Sequence, residues 1–251
     1  MKDIETDPTP DLDLDWSVVR PARMNAEMMH ALLDAGLLDG RKVELIRGEL
    51  VEFSPSKTLR GVEIDPELKR NGLHPAPVST AMMHALLDAG ALRDRRYELI
   101  QGRLVEMAPA KYLHGSVATE VVVRLRNAGG DRFSYALDAA LFFSDDTTVG
   151  PDFVVLPRGM SSDNTAGPDV ILLVEISNST LPHDLGAKAK LYAMHGVGDY
   201  WVVDVPHRLI HVHRDPSADG YASVAARPWT EPVTALRAPA LTLSLPEDLA
   251  P

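Results

Sequence analysis

The stretches GPDFVVL (150–156), DVILLVEISNST (169–180) and GVGDYWVVD (196–204) are three short apolar runs, each bounded by glycine, proline or polar residues. Rich in β-branched and aromatic side chains, they read as strands. Between the second and the third, Asp184 to His195 reads as a helix. Strands on both sides of a crossover helix predict an α/β (α+β) fold, a mixed β-sheet flanked by helices. Outward from this block, FSYALDAALFF (133–143) reads as a further strand and RLIHVHR (208–214) as the partner of DYWVVD in a hairpin around Pro206. TALRAPALTLSLPEDL (234–249) reads as a last strand and a short turn.

The first half of the chain contains a repeat. MMHALLDAGLLDGRKVELIRGELVEFSPSKTLRG (28–61) recurs as MMHALLDAGALRDRRYELIQGRLVEMAPAKYLHG (82–115) at a constant offset of 54 residues. From Pro21 and Pro75 onward, 24 of 41 positions are identical. A solenoid needs at least three copies, so this is one extra unit placed ahead of a complete domain. Each copy reads as a short helix followed by a hairpin. In copy 2, Met83, Leu86, Leu87 and Leu92 carry helical spacing, Gly90 stands where the helix would stop, and Gln101-Gly102 is a two-residue hairpin turn. A second helix, Gly115 to Asn127, follows with Val117, Val121 and Leu125 on one face; copy 1 lacks it. The expected organisation is an acidic disordered tail (1–20), the extra copy (21–74) and the main domain (75–251).

Composition narrows the function. The 251 residues carry a net charge of −11, 45% hydrophobic and 24% charged residues, and no cysteine. Disulfide scaffolds, thiolate zinc sites and a cysteine nucleophile are excluded. No apolar run approaches the ~18–20 residues of a membrane span, and the acidic start is the reverse of a secretory signal. A cytoplasmic protein with no membrane partner is the expectation. The acidic balance argues against coating nucleic acid by bulk charge, although a local basic cleft or a metal-mediated contact stays open.

Three residues point to chemistry. Asp152 opens one apolar strand, Glu175 ends another, and Lys188 follows 13 residues later with Lys190 close by. A carboxylate at the end of an apolar strand is costly to bury without a partner. Two of them on neighbouring strands offer hard oxygen ligands to a divalent cation, Mg²⁺ or Mn²⁺. A nearby lysine can orient or activate a water, or stabilise a phosphorane-like transition state.

GPDFVVL, LLVEISNST, the Asp184–Lys188–Tyr192 spacing and GVGDYWVVD resemble the Uma-two family of endonucleases, within the restriction-endonuclease-like PD-(D/E)XK superfamily. YELIQGRLVEMAPAKYLHG resembles that family's N-terminal hairpin and His-Gly step, so the resemblance runs from about Met82 to the C-terminus. It implies a metal-dependent endonuclease that hydrolyses phosphodiester bonds, with DNA as the default substrate. Asp152 and Glu175 would be the metal carboxylates, joined by the Ile176 carbonyl. The superfamily's lysine would fall at Ser177; the resemblance moves that role to Lys188 on the following helix. His114 and Glu98 would line the site. The superfamily often works as dimers, which implies a homodimer.

The residues alone also allow plainer roles. Glu175 could cap the turn at Asn178–Thr180, Lys188 could pair with Asp184 at i,i+4 on the surface, and His114 could be a solvated helix cap. Alternation places Glu98 opposite Tyr97 and Leu99, where it could face solvent. His211 and His213 read as an exposed edge pair, Asp204 as a strand end, and Tyr200 and Trp201 as core. Arg93, Arg95, Arg96, Arg124 and Arg126 form a candidate phosphate-contacting patch. A catalytically silent nuclease-fold module for nucleic-acid binding or protein interaction is the alternative function. Copy 1, with Glu44 in the place of Glu98 but Arg60 in the place of His114, either adds strands beside its twin or competes for the same slot.

Overall fold

The computed structural model describes Leu12 and residues 20–52, 73–93, 95–107, 111–161 and 165–249. Its centre is a six-stranded sheet in the order β14 (Gly220–Pro228), β13 (Leu209–Ser217), β12 (Asp199–Asp204), β11 (Leu172–Ser177), β10 (Phe153–Pro157), β7 (Phe133–Leu137). Neighbours run antiparallel except β11 and β12, which are parallel. Parallel strands need a crossover. Here it consists of α4 (Leu181–His183), a π-helical turn (Asp184–Lys188) and α5 (Ala189–Met194).

Alternation gives this sheet two apolar faces. On one, Phe153, Val155, Leu172, Val174, Trp201 and Val203 pack against Val117, Val121 and Leu125 of α3 (Tyr112–Gly129). The hairpin β15 (Val233–Ala235) and β16 (Ala238–Leu243) closes that core. On the other face, Val154, Leu156, Leu173, Tyr200 and Val202 meet Leu191 and Tyr192 of α5. The same core takes in Ile100, Val105, Leu141 and Val149 of a second sheet, and Leu12. That sheet runs β1 (Arg20–Pro21), β6 (Arg103–Met107), β5 (Arg96–Ile100), β9 (Thr147–Val149), β8 (Leu141–Ser144).

Both copies of the repeat adopt the same local structure. Asn25 caps α1 (Ala26–Asp34) by accepting from Met28 N at 2.9 Å, and Ser79 caps α2 (Thr80–Asp88) by accepting from Met82 N at 3.2 Å. β2 (Val43–Ile46) and β3 (Glu49–Glu52) form the copy 1 hairpin, which continues into β4 (His74–Pro75). Its turn residues Arg47 and Gly48 have φ of 52° and 84°, and Gln101 and Gly102 of copy 2 have 49° and 78°. Positive φ at both central positions is the type I′ signature, whose twist suits a hairpin. The helices pack on each other over a core that includes Met28, Leu32, Met82 and Leu86.

The structure departs from the sequence reading in several places. FSYALDAALFF is two strands in different sheets, because Asp138 takes a left-handed φ of 49° and ends β7. Leu87 is 44% exposed, since the helix buries a narrower stripe than its leucines suggested. α3 is longer than expected at both ends. β9 and β14 were not foreseen. Residues 222–228 of β14 are exposed on both faces, so its sequence carries no apolar alternation. Because β14 pairs with β13, His211 and His213 are not at an edge. His213 is 3% exposed and tilts against the Tyr200 ring at 5.2 Å. The acidic stretch 1–20 other than Leu12 and Arg20, the segment after the copy 1 hairpin and Arg60 lie outside the described residues. Among the described residues no helix is long and apolar enough to cross a membrane.

Candidate active site

Asp152 immediately precedes β10, and the register Phe153–Val174 places it opposite Glu175 on β11. Their backbones and side chains interlock. Ile176 N donates to Asp152 Oδ2 at 2.8 Å, and Asp152 N donates to Glu175 Oε2 at 3.4 Å. The π turn carries Lys188 beneath this pair, where Nζ donates to Glu175 Oε1 at 2.9 Å and contacts Glu98 Oε1 at 3.2 Å. Single π turns within helices recur at functional sites. One helical turn on, Tyr192 donates its hydroxyl to Glu175 Oε1 at 2.6 Å.

Glu98 arrives from β5 of copy 2. Leu99 beside it enters the core between the two copies, while Glu98 points the other way and accepts from Gly150 N at 3.1 Å. His114, in the first turn of α3, reaches Asp152 Oδ1 with Nε2 at 3.1 Å. The five expected side chains therefore converge. Glu175 does not cap the following turn, Lys188 is not a surface residue, and Glu98 does not face solvent. They are 3%, 3% and 2% exposed. Asp184 does not hold Lys188 by a hydrogen bond; its Oδ2 accepts from Thr180 Oγ1 at 2.5 Å.

Exposure rises outward from the centre. Asp152 is nearly buried, the His114 side chain is 18% exposed, Arg96 38% and Asp138 62%. Arg96 pairs with Asp138 at 2.8 Å and lies 3.8 Å from Asp152, so these groups form the rim. The other arginines of the expected patch do not gather here. Arg124 pairs with Glu120, Arg126 with Asp131, and Arg95 with Glu106 on the opposite face of the β5–β6 hairpin from Glu98. Arg93 and Arg95 instead line a cavity of about 680 Å³ between the two copies.

Four buried carboxylates, Glu98, Asp152, Glu175 and Asp184, surround one buried ammonium. Burial raises the pKa of Glu175, and Asp152, Asp184 and Glu98 add to the rise against Lys188. Burial likewise raises Asp184. For Lys188 burial works downward, but Glu175, Glu98, Asp184 and Asp152 outweigh it, so the amine holds its proton more tightly than usual. Burial also opposes ionisation of Asp152; the His114 hydrogen bond and charge, with Lys188 and the Ile176 N–H, prevail and lower it. The hydrogen bond to Asp152 raises His114.

This excess of buried negative charge is what a divalent cation offsets. The donors are hard oxygens, and Glu98 Oε2 is buried with no hydrogen-bond partner. Among the described residues no three His, Asp or Glu side chains stand as a ready ligand group. Two carboxylates completed by backbone and water oxygens nevertheless suit Mg²⁺ or Mn²⁺. The donor set fits such a cation.

Two residues of the network went unrecognised in the sequence. Tyr192 served there only as a spacing marker; its place at i,i+4 from Lys188 puts both on one helical face toward Glu175. Gly150 stood in the GPDFVVL motif without an assigned role, because its contribution is a backbone N–H. Asp204, expected at a strand end, accepts from His207 Nδ1 at 2.9 Å and His211 Nε2 at 3.2 Å, apart from the bonds around Glu175. Tyr200 and Trp201 are fully buried core, as expected.

Two carboxylates, one just ahead of β10 and one within β11, thus interlock across a mixed sheet with a lysine from the crossover helix. Residues 83–246 match the model of the family Uma2, described as "Putative restriction endonuclease", and the chain belongs to that family. Among solved structures it is similar to a "putative nuclease belonging to DUF820" from Anabaena variabilis ATCC 29413. Identity there is 16%, with a TM-score of 0.49 over 65% of this chain and 96% of that one. No curated protein matches the chain.

Proposed function

We propose that the chain is a Mg²⁺- or Mn²⁺-dependent endonuclease that hydrolyses phosphodiester bonds in DNA. The observation that carries this reading is the buried cluster of four carboxylates around Lys188, tied to a rim of His114 and Arg96. Asp152 and Glu175, with the Ile176 carbonyl, would hold the cation, which when bound polarises the scissile phosphate and lowers the pKa of water. The family description supports a nucleic-acid substrate, and its restriction-endonuclease wording favours DNA.

The remaining roles follow from charge. Lys188, held between Glu175 and Glu98, would orient the attacking water and stabilise charge on the phosphate. Glu98 and Tyr192 fix it and Glu175 in place. His114, hydrogen-bonded to Asp152, and Arg96 would meet the phosphate at the mouth. One observation favours the silent-module alternative: Lys188 is already engaged by two carboxylates.

Incubation of the purified protein with supercoiled plasmid and Mn²⁺ or Mg²⁺ decides between them. Wild type should nick the plasmid, with Asp152→Ala and Lys188→Ala slower by about 10²-fold or more. Plasmid left equally intact by all three proteins with both metals would select the silent module.

A further inference from the structure

The two copies of the repeat are joined by a reciprocal exchange. The strand that leads into copy 1, β1, pairs with the copy 2 hairpin: Arg20 with Glu106 and Pro21 with Val105. The strand that leads into copy 2, β4, pairs with the copy 1 hairpin: His74 with Glu52 and Pro75 with Val51. Every residue in the first set lies 54 positions from its counterpart in the second. The next hydrogen bonds repeat the relation, with Ala22 N to Leu104 O at 2.9 Å and Ala76 N to Leu50 O at 2.7 Å. Each copy then returns to its own hairpin, through Met24 N to Gly48 O and Val78 N to Gly102 O, both 2.9 Å.

The core between the copies obeys the same symmetry. Met24 and Val78, Met28 and Met82, Leu32 and Leu86, Leu38 and Leu92, and Leu50 and Leu104 are counterpart pairs, and all ten side chains are buried in one cluster. An interface in which i meets j while the counterpart of j meets the counterpart of i is isologous, the form taken by two-fold dimers with exchanged elements. A flexibly attached duplicate would share no core with its twin. A duplicate competing for the slot of copy 2 in the second sheet would displace it from β9, yet β5 of copy 2 holds that place.

We propose that this helix–hairpin unit is a self-association module, and that copy 1 fills in cis the place on copy 2 that the same unit of a second chain would take. The duplication closes a two-fold interface inside one chain. It thereby replaces, on this face, the homodimer that the family resemblance implied. The proposal rests on the repeat and its pairing and is independent of the nuclease reading.

The chain has no cysteine, so paired cysteines report the exchange without interference. Full-length Arg20→Cys/Glu106→Cys and Glu52→Cys/His74→Cys variants are oxidised and run without reductant, and their masses are measured by light scattering. Each should form an intrachain disulfide in a monomer. Covalent dimers, or no disulfide, would overturn closure in cis. Self-association is tested by sedimentation of the full-length chain. Wild type should be monomeric at micromolar concentration, Leu32→Asp should form dimers through the vacated copy 2 face, and Leu32→Asp/Leu86→Asp should be monomeric again. Leu32→Ala, a milder change, should raise the dimer fraction less and covers the case in which the aspartate unfolds the chain. Monomers throughout the Leu32 variants, or dimers that persist when Leu86 is also replaced, would overturn the proposal.

Discussion

Copy 1 and copy 2 of the repeat share caps, turns and hairpins, yet among the described residues only copy 2 contributes to the candidate site. Glu44 and Glu98 occupy the same place in the same strand, but Glu44 is exposed and Glu98 is buried against Lys188 and Gly150 N. The difference comes from what each hairpin meets. β5 pairs with β9 beside the central sheet, whereas among the described residues β2 pairs with β3 alone. Local sequence determines the unit's shape, and its neighbours determine whether a glutamate on it becomes part of a site.

The largest effect should come from the lysine that holds Glu98 of copy 2. Lys188→Met removes the buried ammonium among four carboxylates and should slow plasmid nicking by about 10²–10³-fold. A calorimetric melt should also show lower stability, by about 3 kcal/mol at neutral pH, from uncompensated buried charge. The shared core comes next. Leu32→Ala and Leu86→Ala each remove a fully buried side chain, and urea titration should show a loss of about 2–5 kcal/mol for both. A loss for Leu86→Ala alone would break the equivalence of the copies as packing partners. Smaller losses, about 1–2 kcal/mol each, are expected from Gly48→Ala and Gly102→Ala, because both turns require positive φ.

The smallest effect concerns pH. Metal-free, the raised pKa of His114 means that its pairing with Asp152 stabilises the fold fully below about 6.5 and is lost as pH rises through the higher folded value. His114→Arg, which installs the residue of copy 1, should abolish that share of the decline. The lowered Asp152 acts in the opposite window, its stabilisation being present above about 3.8 and lost as pH falls through the folded value. Melting temperatures of both proteins in chelator, measured across these windows, check the signs.

Much of this architecture was legible in the sequence because it is locally encoded. Gln101-Gly102 specified its turn, Gly90 its helix end, and the three apolar runs their strands around a crossover. Asp152, Glu175 and Lys188 could be paired from their order and spacing along the chain and from the family resemblance they carry; Glu175 proves to lie inside β11 and not at its end. What stayed hidden depends on contacts far apart in the chain. Tyr192 and Gly150 acquire their roles only when Glu175 and Glu98 arrive beside them. The break at Asp138 and the outer strand β14 have little apolar pattern to announce them. The exchange of lead-in strands left no mark, since Arg20-Pro21 and His74-Pro75 are two-residue pairings fixed by packing of the copies.

The central claim, that copy 2 alone supplies the carboxylate completing a metal-dependent nuclease site, meets its most direct test in one paired assay. Mn²⁺-dependent nicking of supercoiled plasmid is measured for Glu98→Gln beside Glu44→Gln. Glu98→Gln should lose about 10²-fold in rate, while Glu44→Gln should match wild type. Equal rates for the two variants, or no nicking by wild type, would contradict the claim.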